Sequence, residues 1–207
     1  MNKQHKIGQI YAQYIRAENK KITQKRYVGK EHFYHASGAG TCSRKLYFQT
    51  VEKVEPTNLP NTTADRVMRL GTVLHSEIEN SLLYSNNINI NINTNIKNNI
   101  TNKNITENIR SDEFLTEEEI IIGELSVRGF FDFLVKDGDE FFLYDLKSAA
   151  SYSFTRVFDA TKPYTMKHHE LQLCTYGYGV KEKYGRLDGM YLMYYNKNTS
   201  VIKYKEV

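Results

Sequence analysis

Cysteine is scarce: the 207 residues hold two, Cys42 and Cys174. Two thiols exclude a disulfide scaffold and any site that needs four thiolates from this chain. Tryptophan is absent and proline occurs three times, which decides little. No apolar run approaches the ~18–20 residues that a membrane span needs. The opening residues Met1-Asn2-Lys3-Gln4-His5 have no apolar stretch, so no secretory signal is expected. These absences predict a cytoplasmic protein with no membrane partner. Charge of one sign is also in short supply: 28 Lys and Arg face 24 Asp and Glu, a net +4. That mild excess is compatible with a polyanionic partner. The chain is 40% hydrophobic and 25% charged, enough to bury an ordinary core within one domain. Its 16 tyrosines suit core packing and base stacking equally well.

Residues 3–18 read as an amphipathic helix, with Ile7, Ile10, Tyr11, Tyr14 and Ile15 at helical spacing. A basic stretch follows, Lys20, Lys21, Lys25, Arg26 and Lys30, so 1–36 form an N-terminal helix with a basic segment. Ser37-Gly38-Ala39-Gly40 reads as a flexible loop. Thr41 or Ser43 then caps a short helix running to about Val54. Residues 62–84 predict a longer helix whose stripe is Val67, Leu70, Leu74, Ile78 and Leu82. Its start, Thr62-Thr63-Ala64-Asp65, resembles a capping box. Residues 86–109 are low complexity, 18 of 24 being Asn or Ile, and read as an insertion. Within it, Asn87 to Ile92 alternates with strand period.

Residues 117–147 predict a β-meander turning at Asp137-Gly138-Asp139. A helix over 168–184 follows, stopped by Gly185. Strands at 187–195 and 200–206 close the chain. This order predicts an α/β or α+β fold, a sheet with helices on its faces.

Asp145-Leu146-Lys147 puts Asp145 and Lys147 on one strand face and Leu146 on the other. A lone Asp-x-Lys is common as a solvated ion pair. Asp132, however, sits in the apolar strand Val127 to Val135, where Asp is disfavoured. A single turn brings it alongside Asp145. Two carboxylates held close repel unless a cation neutralises them, and a hard divalent ion with oxygen ligands fits that need. His75 could add a third ligand, with Gly71 one turn earlier letting the helix approach the sheet. An imidazole donor makes Mn²⁺ as suitable as Mg²⁺. Glu79 shares that helix face as a supporting or solvated group. Gln172 and Tyr176, four apart, share another.

Gly71-x-x-x-His75, Gly129-x-x-Asp132, Asp145-x-Lys147 and Gln172-x-x-x-Tyr176, in that order, resemble the RecB-type branch of the PD-(D/E)XK nucleases. The resemblance runs from about residue 37 to the end, around the Asn/Ile insertion. It implies a single nuclease domain over 1–207, with a restriction-endonuclease-like core of mixed sheet flanked by helices. It further implies that His75, Asp132, Asp145 and the main-chain carbonyl of Leu146 bind Mg²⁺ or Mn²⁺. Lys147 would then orient or deprotonate the attacking water, and Gln172 and Tyr176 would position the lysine or the nucleic-acid backbone. Ser37 to Tyr47 resembles the N-terminal entry of the CRISPR-adaptation nucleases, where the cysteine matching Cys42 is the first ligand of an iron–sulfur cluster. The three later cysteines of that family are missing here, and Cys174 lies between Gln172 and Tyr176. No iron–sulfur cluster is therefore expected, and a stand-alone phage or bacterial exonuclease fits better.

Arg44 and Lys45, with Lys25 and Arg26, are the expected phosphate contacts. The expected partner is DNA, single-stranded or with free ends, with a helicase or recombination protein as a possible associate. The expected activity is metal-dependent hydrolysis of phosphodiesters in recombination, repair or phage DNA processing. The alternatives are a structure-specific or restriction-like endonuclease and a non-catalytic nucleic-acid-binding subunit.

Overall fold

The structure, a computed structural model, describes residues 6–27, 33–54, 61–96, 114–161 and 166–207; the side chains of 20, 22–27 and 85–96 lie outside this description. A six-stranded mixed sheet is flanked by helices. In chain order come α1 (Lys6–Tyr27), β1 (Tyr34–His35), a 3-10 turn (Ala36–Gly38), α2 (Ser43–Thr50) and α3 (Thr62–Ile96). Then follow β2 (Phe114–Ile122), β3 (Val127–Asp137), β4 (Glu140–Ala149), α4 (Ser151–Val157), α5 (Lys167–Tyr184), β5 (Gly189–Asn196) and β6 (Ile202–Glu206). This is an α+β architecture. No helix among the described residues is long and apolar enough to cross a membrane.

β2, β3 and β4 form the meander, and β5 joins β4 in parallel, as expected when α5 carries the crossover. Gly185 ends α5 at φ 77°, a conformation that costs glycine little. One face of the sheet packs Phe131, Leu134, Leu143 and Leu192 against Leu173, Tyr176 and Val180 of α5 and Phe154 and Val157 of α4. The other packs Phe133, Leu146 and Met193 under Leu74, Ile78 and Leu82 of α3. Each fully buried Leu or Phe contributes roughly 1.5–3 kcal/mol.

β3 has three partners. β2 runs along one edge from Val127 to Val135. Because β2 also pairs with the residues that β1 and β4 meet, those two strands must share the opposite edge. β1 takes Val127 and Arg128, and β4 takes Phe133 to Asp137. Residues 129–132 lie in the fork between them.

Several local expectations need correction. α1 reaches Tyr27, and it buries Ala12 and Ile15 while Ile7, Ile10, Tyr11 and Tyr14 are exposed. The helix meets α3 at the Arg16–Asp65 ion pair of 3.0 Å, and among the described residues most of its apolar face is uncovered. Asp65 is thereby taken from the proposed capping box. Asn61 caps α3 instead, its side-chain oxygen accepting from the N–H groups of Thr63 and Ala64. Val67 and Leu70 are about half exposed; the buried stripe starts only at Leu74, where α3 reaches the sheet.

α3 also continues to Ile96, so Asn87 to Ile92 is helix, not strand. Propagating a formed helix adds a hydrogen bond per residue, and period-two alternation cannot prevail without a neighbouring strand. The rest of the insertion lies outside the described residues. Cys42, not Thr41 or Ser43, occupies the N-cap of α2, and Thr41 donates its hydroxyl to the Gly38 carbonyl. The supposed flexible loop therefore contains an ordered 3-10 turn. A Cβ on Gly71 would lie 3.5 Å from Ser148, an ordinary contact, so closeness to the sheet does not demand glycine there. The short helix α4 has no counterpart in the sequence reading.

Candidate functional site

The β3–β4 register pairs Phe133 with Tyr144; one step further would set Asp132 opposite Asp145, and there the ladder stops. Like charges directly opposed are unfavourable, which accounts for the parting of the strands. Alternation also slips here: Phe131 and Leu134 enter one core cluster, and Phe133 the other. Asp132 stands at the slip. Its Oδ2 accepts the Leu146 N–H at 2.7 Å, so a carboxylate takes the place of a strand carbonyl. Its Oδ1 lies 3.4 Å from His75 Nδ1 on α3. Burial opposes charge on His75, but the hydrogen bond and charge of Asp132 prevail and hold the imidazole above its ordinary value.

Asp145 is 1% exposed and lies on the α5 side with Lys147. Lys147 Nζ is 2.6 Å from Asp145 Oδ2, although that oxygen lacks an aligned hydrogen bond. Nζ also donates to Gln172 Oε1 at 3.1 Å. The Gln172 amide reaches Asp145 Oδ1 at 3.4 Å and the Tyr176 hydroxyl at 3.1 Å. Burial, with repulsion from Asp132, pushes the Asp145 carboxyl up against the pull of Lys147. Burial and the Asp145, Asp132 and Glu117 carboxylates push the Tyr176 phenol well up, so it stays protonated. Tyr176 packs over Gly129, where a Cβ would meet the ring at 2.6 Å.

The fork opens into a cleft of about 610 Å³. His35 and Ser37 line one side, Met68, Thr72 and His75 of α3 another, and Glu117, Asp132, Gln172 and Tyr176 the interior. Donor atoms of His75, Glu117 and Asp132 all lie within 4.8 Å of one another, a group able to hold a cation. Asp145 is outside that trio, though it feels the charges of Asp132 and His75. Leu146 meets Asp132 through its amide. Arg44 and Lys45 are exposed in the first turn of α2, Arg44 lying over the Phe48 ring. The side chains of Lys25 and Arg26 lie outside the described residues. Cys42 and Cys174 are both exposed thiols.

Glu117 is one residue that the sequence did not single out. It belongs to the run Glu117-Glu118-Glu119, whose members part ways: Glu118 pairs with Lys183, Glu119 with Arg128, and Glu117 enters the cleft. Only the strand register distinguishes them. His169, one turn before Gln172, was also missed; its Nδ1 lies 2.9 Å from the Tyr194 hydroxyl. Burial first, then the charge of Lys147, lowers it to about 3.

No family model and no curated protein matches this chain. Its fold is similar to that of solved structures, among them the crystal structure of SSO0001, with a TM-score of 0.54 and 17% identity over 96% of this chain and 77% of that one. At that identity the likeness is one of fold.

Proposed function

We propose that the protein is a metal-dependent nuclease of the PD-(D/E)XK type, RecB-like, that hydrolyses phosphodiester bonds at DNA ends. The observation carrying this reading is the fork. It brings Asp132, paired with His75, into a cleft that Gln172 and Tyr176 also line, and Gln172 links that cleft to Lys147 and Asp145.

The donor set fits a divalent cation: carboxylate oxygens and one imidazole, all within 4.8 Å of one another. His75, Asp132 and Asp145, with the Leu146 carbonyl, are the proposed holders. Such an ion, when bound, supplies positive charge against the non-bridging phosphate oxygens and acidifies water.

The chain's own groups do the rest. Lys147 is held by Asp145 and Gln172, so its ammonium is oriented before substrate arrives and offsets negative charge as it grows. Tyr176 accepts from the Gln172 amide and, kept protonated, retains its own O–H to offer a phosphate oxygen. Gln172 ties Lys147 of β4 to Tyr176 of α5. Arg44 and Lys45 attract the polyanion in a salt-dependent way. A cleft of about 610 Å³ has the scale of a small-ligand site, which supports entry of one strand end over a duplex.

The test is digestion of end-labelled single- and double-stranded DNA and of closed circles, with Mg²⁺, Mn²⁺ or EDTA. Linear DNA should be degraded from its ends with either metal and spared in EDTA. Lys147→Ala should slow cleavage by roughly 10²–10³-fold, as loss of an oriented charge does. Wild-type rates in Lys147→Ala and Asp132→Asn would overturn the proposal. Cutting of closed circles would move it to an endonuclease.

A further inference from the structure

Glu117 lies within β2, at a step that the β2–β3 ladder omits. Thr116 pairs with Phe133 and Glu118 with Phe131, so the register sets Glu117 opposite Asp132, where pairing lapses. Its φ is 50°, in the left-handed region that a non-glycine strand residue rarely adopts. Such a conformation costs about 1–3 kcal/mol and persists only where surrounding structure enforces it. Both strands flanking β3 thus release it at the same residue: β2 at Glu117 and β4 at Asp145.

The consequence is a convergence of charge. Glu117 brings a donor atom within 4.8 Å of donors on His75 and Asp132. Glu117 and Asp132 line one cleft with Gln172 and Tyr176, and Asp145 meets that lining through the Gln172 amide at 3.4 Å. Lys147 is set against Asp145 and His75 against Asp132, and His35 lines the same cleft. Asp145 Oδ2, buried, is held by the Lys147 ammonium at 2.6 Å. Two carboxylates and an imidazole from three separate elements, around an open cleft, form a donor set for a divalent ion, with Mn²⁺ suited to the mixture.

We infer that Glu117 is a side-chain ligand of the divalent cation, acting with His75 and Asp132. The inference rests on the metal-dependent reading above and extends it to a residue outside the four sequence blocks that suggested that reading.

The experiment measures Mn²⁺ binding to the metal-free full chain by calorimetry, together with the Mn²⁺-induced rise in the urea unfolding midpoint. Two variants remove the carboxylate: Glu117→Gln keeps the shape, and Glu117→Gly suits a positive φ and so should fold at least as well as the parent. Both should weaken Mn²⁺ binding at least ~10-fold, since even outer partners of ligands have that effect. Asp132→Asn is the control. Mn²⁺ affinity unchanged in both Glu117 variants, but lost in Asp132→Asn, would overturn the role of Glu117 and leave the metal site standing. Failure of the parent chain to bind Mn²⁺ would overturn both.

Discussion

The bond from the Leu146 amide to Asp132 can be isolated by comparing two substitutions. The amide is buried and its acceptor is a carboxylate oxygen at 2.7 Å. A hydrogen bond to a charged group contributes roughly 1.5–3 kcal/mol, and a buried donor left without a partner costs a similar amount. Asp132→Ala removes the acceptor. Asp132→Asn retains a carbonyl oxygen that can accept the same N–H, in a neutral bond worth about 1 kcal/mol. Both remove the charge that repels Asp145, so relief of that repulsion cancels between them. Asp132→Ala should therefore be less stable than Asp132→Asn by about 1–3 kcal/mol. The assay is urea unfolding in EDTA at neutral pH, with midpoints compared at equal slopes. If the alanine variant matches or exceeds the asparagine variant, the amide has another partner and the carboxylate does not close the fork.

Two further perturbations follow from the geometry. Gly129→Ala puts a Cβ 2.6 Å from the Tyr176 ring and 2.7 Å from the Ala36 Cβ. It should cost about 1–3 kcal/mol by overpacking and disturb the Tyr176–Gln172 bond; a wild-type melting temperature would contradict this. His169 in the folded chain lies below its ordinary 6.5, at about 3. The unfolded chain therefore takes up the extra proton in between, so the stabilisation is full above pH 6.5 and declines as pH falls toward 3. The slope is at most ~1.4 kcal/mol per pH unit. Urea titrations from pH 7 to 4 should show wild type losing stability faster than His169→Gln, and parallel profiles would count against it.

Much of this geometry was legible because it depends on local periodicity. The two-residue period of β4 placed Asp145 and Lys147 together, and the four-residue step of α5 placed Gln172 above Tyr176. The turn at Gly138 and the stop at Gly185 follow from glycine's access to positive φ. What was not legible depends on which segments meet. Nothing in the run of three glutamates says which one enters the cleft, since that is decided by alignment with β3. Val67 and Leu70 fit the helical stripe, but α3 has not reached the sheet where they lie. Ile10 and Tyr14 likewise sit on a face of α1 that nothing among the described residues covers. Asp65 looked like a cap because its claim by Arg16, 49 residues earlier, is invisible in a local window.

The outer strand β6 has a bearing on how the sheet meets its surroundings. Among the described residues it pairs with β5 alone, so its other edge presents a row of main-chain groups that a second chain could extend. Lys203 lies over the Phe158 ring and Lys205 pairs with Glu170, so both are held on the same face of that rim. Two copies approaching rim to rim would bring ammonium groups against ammonium groups. Lysines on an edge strand are one of the devices that disfavour edge-to-edge pairing.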